Sequence, residues 1–293
     1  MSSVLITGTS RGIGFETALA FARAGHRVFA TMRNPAGSPE LAEIAAREQL
    51  PISIHTMDVD SDSSVSSAIA AIQGENGPVD VLVNNAGIER GGATEETPSA
   101  DFKACMETNY FGAIRCIQAV VAQMRERRSG CIINVTSVAG RISNPPLGPY
   151  AASKWAIEAV SESLAIEMKP FNVHVAIVEP GIIDTSMARR IADSGPASAY
   201  PYRERFTAIF SASLRNPTPP SMVAQKILEV AESDGWQLRH PAGPDAVPLL
   251  QWRSQMPDEA WVSHNSVDNE AFYARFEREF GVNARPKIEP VKA

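Results

Sequence analysis

Val4-Leu5-Ile6-Thr7-Gly8-Thr9-Ser10-Arg11-Gly12-Ile13-Gly14 stands almost at the start of the chain, and the rest of the fold is read outward from it. An apolar run ends at a threonine, three glycines follow at G-x-x-x-G-x-G spacing, and an Ala-rich stretch over 12–24 has helical periodicity. Gly25 is a good helix stop. A buried strand turning tightly into a helix is where a parallel sheet binds a pyrophosphate. The first helical N–H groups lack intrahelical partners and face the anion, while glycine lets the backbone come close to it. A glycine cluster by itself marks ordinary turns; its place between strand and helix is what gives it meaning.

The same rhythm continues through two-thirds of the chain. Further strands are predicted at Val28–Thr31, Ile52–Met57, Val79–Val83, Cys131–Thr136 and Val173–Val178. Helical segments are predicted near 38–49, 61–75, 99–127 and 149–169. Most strands are apolar throughout, as expected when helices cover both faces of a parallel sheet. The expected fold class is α/β: a Rossmann-like, doubly wound parallel sheet with helices on both faces. After Gly181 the rhythm breaks. Helical fragments over 182–220 are interrupted by Gly195-Pro196, Asn216-Pro217 and Pro219-Pro220. A helix near 221–234 and a short strand near 236–239 then complete a sheet of about seven strands. The tail over 241–293 is richer in Pro, Trp and charge, with Phe272, Phe276 and Phe280 recurring every fourth residue. No linker interrupts the chain, so residues 1–293 are read as one domain with a C-terminal extension.

Composition narrows the function. The chain has 293 residues, 44% hydrophobic and 20% charged, enough for a sizeable core without disulfide or metal staples. Its net charge of -6 and lack of basic blocks argue against nucleic acid or an anionic membrane as partner. Cys105, Cys116 and Cys131 have no paired spacing and read as reduced core thiols, which fits a cytoplasmic protein. The strand at Val4 leaves no room for a signal peptide, and no apolar run reaches membrane-span length. The five histidines are scattered, so no metal is expected.

The cofactor's 2′ group is read at the end of the second strand, where an acid commonly accepts from the ribose hydroxyl of NAD. Here the stretch is Ala30-Thr31-Met32-Arg33-Asn34, without an acid. Arg33 and Arg11 are instead two guanidiniums able to grip a 2′-phosphate, which favours NADP(H) over NAD(H). Tyr150 and Lys154 stand at i and i+4 on one predicted helix and so project from one face. A free tyrosine is about one part in a thousand ionised at neutral pH. A nearby ammonium is expected to lower the phenol's pKa toward the range useful for acid–base work. Read alone, the pair is an aromatic beside a solvated lysine. Ser137 follows the strand 131–136, at the carboxyl end where α/β sheets place ligands. Its hydroxyl can donate to a carbonyl gaining negative charge, or simply cap its own loop.

In combination these motifs resemble the short-chain dehydrogenase/reductase superfamily, in its common short branch, over roughly residues 3–190. The resemblance rests on the loop from Thr7, Asn84-Asn85-Ala86-Gly87, Asn109, Ser137, Tyr150-x-x-x-Lys154, and Pro180-Gly181 with Thr185. Ala30–Arg33 and Tyr150–Glu158 look most like the steroid- and retinol-dehydrogenase-like members. It implies a catalytic set of Asn109, Ser137, Tyr150 and Lys154, with Tyr150 moving the proton and Lys154 holding the nicotinamide ribose and lowering the Tyr150 pKa. Asn109 would hold, through its helix backbone, a water joining Lys154 to solvent. The cofactor would lie against Gly8, Thr9, Ser10, Arg11, Gly12, Ile13, Gly14, Arg33, Asp58, Val59, Asn85, Ala86, Gly87, Tyr150, Lys154, Pro180, Gly181, Ile183 and Thr185. Asp58 would contact the adenine amino group.

The segment 186–215 is expected to be a lid over the site. Met187, Ile191, Tyr200, Tyr202, Phe206, Ile209 and Phe210 would offer it an apolar lining, or pack the lid onto the body. Arg189, Arg190, Arg203 and Arg205 would lie near its edge. The expected function is NADP(H)-dependent interconversion of a ketone or aldehyde and an alcohol on a moderately apolar small molecule. The competing reading is a non-catalytic NADP(H)-binding regulator, which typically lacks the tyrosine or lysine present here. A sugar-nucleotide epimerase of the extended branch would carry a different glycine spacing. The resemblance also implies a homodimer or homotetramer built on the helices around 99–127 and 149–169. The extension could modify that assembly or cover the pocket.

Overall fold

Strand β1 (Ser3–Thr7) leads through the glycine loop into α1 (Gly12–Arg23) in the computed structural model, which describes residues 1–194 and 198–286. The alternation continues with β2 (Arg27–Met32), α2 (Glu40–Glu48), β3 (Ile52–Thr56), α3 (Asp62–Asn76) and β4 (Val81–Asn84). Next, α4 (Ser99–Met106) passes through a π-helical turn at Glu107–Phe111 into α5 (Gly112–Arg127), followed by β5 (Gly130–Val135), α6 (Gly148–Met168) and β6 (Val173–Pro180). The last third holds α7 (Ser186–Ala192), α8 (Tyr202–Ser213), α9 (Pro220–Glu232) and β7 (Arg239–Ala242), then α10 (Ala246–Ser254), α11 (Asp258–Asn265) and α12 (Asn269–Phe280). The expected helix break at Gly195-Pro196 and the last seven residues of the tail lie outside the described residues.

All seven strands are parallel, in the order β3-β2-β1-β4-β5-β6-β7. Alternate residues of each strand feed two separate cores. Val4 and Ile6 pack toward α1 and α9, while Leu5 packs toward α3, α5 and α6. That division explains the unbroken apolar strands, because neither face meets water. Each fully buried Val, Leu, Ile or Phe contributes about 1.5–3 kcal/mol. Gly25 adopts φ +87 just past α1, as a helix-stopping glycine should. β3 forms one edge of the sheet and is only partly buried, which suits its polar Ser53, His55 and Thr56.

Two boundaries depart from the sequence reading. The segment 99–127 is not one regular helix, since the π-helical turn inserts a wide turn around Asn109. The last strand lies at 239–242 rather than 236–239, with Pro241 accommodated because β7 is an edge strand. Among the described residues no helix is long and apolar enough to cross a membrane. The strand order reverses between β1 and β4, so the connections from these strands run in opposite directions. They leave a crevice at the carboxyl ends, where open α/β sheets bind ligands.

Candidate active site

The crevice begins at the glycine loop. Gly8 and Gly12 have φ of +72 and +63, the left-handed region that glycine enters without strain. A Cβ at Gly8 would stand 2.8 Å from the Ala86 backbone, and one at Gly14 would stand 2.4 Å from the Gly8 carbonyl. The loop is fastened to β4 by side chains. Thr7 Oγ1 accepts from the N–H groups of Asn85 (3.0 Å) and Ala86 (2.9 Å), and Asn85 Nδ2 donates to the carbonyls of Thr7 (2.9 Å) and Gly8 (3.1 Å). Thr9 is fully buried and donates to the Thr31 carbonyl (3.1 Å). Thr9 and Gly14, expected against the cofactor, are therefore not on the cavity wall; they shape the loop from beneath.

Gly8, Ser10, Arg11, Gly12 and Ile13 do face the cavity, as do Arg33, Asp58, Val59, Asn85, Ala86 and Gly87. The Asp58 carboxylate is anchored at its base by accepting from the Asp60 N–H (3.2 Å). Met32 is buried at the end of β2 and lines the cavity where an acid would otherwise stand. Beside it Arg33 and, across the loop, Arg11 are exposed and have no carboxylate within ion-pair distance among the described residues.

Ser137, Tyr150 and Lys154 converge deeper in the same cavity, beside Pro180, Gly181, Ile183 and Thr185. β5 delivers Ser137 at its carboxyl end, and the first turns of α6 deliver Tyr150 and Lys154. Ser137 Oγ accepts from the Ala139 N–H (3.1 Å) and donates to the Pro180 carbonyl (3.4 Å). Lys154 is buried with Nζ donating to the Val135 carbonyl (3.0 Å), 5.6 Å from the centre of the Tyr150 ring. Asn109 is buried in the π-helical turn and lies behind the cavity rather than on its wall. Its side chain accepts from the Ile88 N–H (2.8 Å) and donates to the Ile88 carbonyl (2.9 Å) and to Ser153 (2.8 Å). Asn109 thus ties the strand-end loop to α6.

The expected lowering of the Tyr150 pKa is overturned. Burial pushes the phenol up to about 12, outweighing the opposing effect of the nearby Ser137 hydroxyl. Burial likewise pulls the Lys154 ammonium down to about 8, against the attraction of Glu158 one turn along. Desolvation disfavours whichever form is charged, so it moves the two groups in opposite directions.

The cavity encloses about 950 Å³ and extends from the glycine loop past Tyr150 to an apolar end. Met187, Ile191, Phe206, Ile209 and Phe210 line it, as expected from the sequence. Tyr200 and Tyr202 do not: they stack on each other at 6.2 Å, away from the wall. Of the four arginines placed at the edge only Arg190 lines the cavity. Arg189 pairs with Asp184 (2.7 Å), and Arg203 donates to the Gly91 carbonyl (3.1 Å). Arg205 is buried beneath the extension, donating to Asn269 Oδ1 (2.7 Å) and to the carbonyls of Asn265 (3.2 Å) and Val267 (2.5 Å). It also lies over the Phe272 ring, 4.8 Å from its centre.

With this geometry in view, the profile of the short chain dehydrogenase family matches residues 2–195. The chain belongs to that family. Retinol dehydrogenase 8 of Bos taurus is 35% identical over 270 residues, covering 87% of this chain and 86% of that protein. A 3-ketodihydrosphingosine reductase of Bacteroides thetaiotaomicron is 34% identical over 260 residues, covering 87% of this chain and 93% of that protein. Among solved structures, a short-chain dehydrogenase from Streptomyces avermitilis superposes with a TM-score of 0.76 at 31% identity, covering 94% of this chain and 97% of that one.

This short-chain dehydrogenase also lines its cavity with residues that the sequence reading did not place there. Trp252, Phe272, Phe276, Phe280 and Val282 come from the C-terminal extension, which covers the pocket. The recurrence of Phe272, Phe276 and Phe280 was the available signal, but a stripe on a helix does not say what it faces. Glu89, next to Ile88, contributes a carboxylate to the wall. Nothing in its local sequence distinguishes it from a loop glutamate.

Proposed function

We propose that this short-chain dehydrogenase interconverts a ketone or aldehyde and an alcohol with NADP(H), on a moderately apolar substrate. The observation that carries the reading is one cavity holding a glycine loop at one end, the Ser137–Tyr150–Lys154 cluster in the middle and an aromatic wall beyond. The loop fits a dinucleotide, since Gly8, Ser10, Arg11, Gly12 and Ile13 line the cavity at the start of α1, whose first N–H groups lack intrahelical partners. Arg11 and Arg33, both free of ion pairs among the described residues, would hold a 2′-phosphate. Ser10, Asp58 and Thr185 would line the rest of the dinucleotide.

When bound, the nicotinamide supplies or takes up hydride at the carbonyl carbon. The protein's own contribution is the proton and the oxygen's environment. Tyr150, a phenol protonated at neutral pH and held more firmly so by burial, donates to the substrate oxygen as negative charge develops there. Ser137 donates a second hydrogen bond to the same oxygen, a type of contact worth about 2.7–4 kcal/mol. Lys154 supplies positive charge behind Tyr150, from a position set by the Val135 carbonyl.

The apolar end favours a substrate with an extended hydrocarbon portion, in keeping with relatives named for retinol and for 3-ketodihydrosphingosine. Helices α7 and α8, within the expected lid segment, close one side of the apolar end, and helices α10–α12 complete its far side. Buried thiols at Cys105, Cys116 and Cys131 support a reducing, cytoplasmic setting. The reading is tested by NADPH oxidation with a panel of ketones. Tyr150→Phe should slow carbonyl reduction by about 10²–10⁴-fold while leaving NADPH affinity near that of the wild type. Equal rates in the two proteins would overturn it.

A further inference from the structure

Behind the wall of the reaction cavity, β5, β6, β7 and α6 bring a cluster of charged side chains together. Glu158 stands four residues after Lys154 on α6, so the two project from adjacent turns of one face. Its carboxylate is buried and has two donors. Oε1 accepts from Thr136 Oγ1 (2.6 Å), and Oε2 accepts from Arg239 Nε of β7 (2.9 Å). Thr136 immediately precedes Ser137, and its N–H donates to the Val178 carbonyl of β6 (2.8 Å). The turn after Ser137 rests on the same stretch of helix: a Cβ at Gly140 would stand 2.8 Å from Glu158 Cγ and 3.2 Å from the Lys154 carbonyl.

Ser137 arrives on β5 and Tyr150 and Lys154 on α6, so the working geometry depends on how the strand end is set against the helix. Three side-chain bonds join the two elements: Asn134 to Ser161 (2.8 Å), Thr136 to Glu158, and Lys154 to Val135 (3.0 Å). The Thr136–Glu158 bond is the one next to Ser137, and it brings a buried negative charge one turn from Lys154. We infer that Glu158 is a positioning residue for carbonyl reduction: through Thr136 it sets Ser137 against the helix turn that carries Lys154, and its charge supports the Lys154 ammonium. The inference rests on the carbonyl-reductase reading. Burial draws the Lys154 ammonium down, and Glu158 is the main group opposing that pull. Tyr150 on α6 and Cys105 on α4 also face Lys154, but burial raises both, so they keep their protons while it titrates. Glu158 itself is faced by Arg239, with Glu162 (3.4 Å) and Glu179 (3.8 Å) on the same guanidinium and Arg141 4.0 Å from Glu179. Glu179, pushed up to about 7 by burial, also changes charge near neutrality, so the titration is best read at Lys154 itself.

On the full chain, Lys154 is followed through its titration by NMR of isotope-labelled lysine, its signal assigned by loss in Lys154→Arg. Glu158→Gln keeps an acceptor for Thr136 but no charge, and Lys154 should titrate about one pH unit lower than in the wild type. Glu158→Asp restores the charge and should return the titration most of the way. An unmoved Lys154 titration in Glu158→Gln overturns the inference. Thr136→Val leaves every buried charge in place and removes the tether next to Ser137. It should lower kcat for ketone reduction about 10–100-fold, while KM for NADPH and the Lys154 titration stay near those of the wild type. An unchanged kcat there overturns the positioning role, even if Glu158→Gln fails to fold. A wild type that reduces no ketone, with its Lys154 titration still set by Glu158, would uphold the link between the two residues and overturn the reductase reading instead.

Discussion

Lys154 is held in its working position by a buried contact that weakens its hold on its proton. Its ammonium donates to the Val135 carbonyl from a buried site, and burial lowers its pKa to about 8 while Tyr150 rises to about 12. The two shifts fix the sign of the pH dependence. Below about 8 Lys154 is charged and Tyr150 is protonated; above it the ammonium is lost while the phenol still holds its proton. Carbonyl reduction at saturating NADPH should therefore fall as pH rises through about 8. A rate that stays level well above that pH would contradict the assignment of Lys154. At the other end of the cavity, Arg33→Asp should weaken NADPH binding by about 10–100-fold, as expected for a charge-assisted contact of about 1.5–3 kcal/mol. NADH affinity should hold or improve. Tighter binding of NADH than NADPH by the wild type would count against the 2′-phosphate site.

The elements most open to test are α8 and α12. Arg205 on α8 is buried under the extension, with three acceptors from the 265–269 segment and the Phe272 ring against it. On the same seam, Ala212 of α8 packs with Tyr273 of α12, flanked by Phe272 and Phe276. Arg205→Met keeps much of the side-chain volume but leaves those acceptors without a donor, at a cost of about 1–3 kcal/mol. A lowered Tm and faster proteolysis after residue 241 are expected. Unchanged resistance to protease would show that the extension is held by its aromatic contacts alone. The sequence made the α12 stripe visible, because Phe recurrence is a local pattern. It misplaced Arg205, since most arginines are solvated and only the packing of two distant segments buries this one.

For the molecule as a whole, the outward face of α6 stands out. Trp155 and Ile166 are 46% and 76% exposed and lie about three turns apart on that helix, hence on one side of it. Phe111, at the entry to α5, is 45% exposed. Single exposed apolar residues are ordinary, but two aligned on one helix fit the homodimer or homotetramer expected from the family resemblance. Ile166→Glu should shift the protein toward monomer by light scattering while leaving its circular dichroism unchanged. A wild type that is already monomeric at micromolar concentration would dispose of this interface.

Local pattern was enough for the sheet, the glycine loop and the order of Ser137, Tyr150 and Lys154. Strand periodicity, glycine spacing and an i,i+4 pair are all properties of neighbouring residues. Met32 in place of an acid was equally legible, and Arg33 beside it does face the cavity. The sequence could not supply anything that depends on burial between distant segments. The direction of the Tyr150 pKa, the inward position of Arg205, the place of Glu89 on the cavity wall and the aromatic wall from the C-terminal helices all belong to that class. Desolvation and packing are set by what the whole chain places around a residue, so the tertiary structure alone decided them. They are also the features that shape which molecule the site accepts.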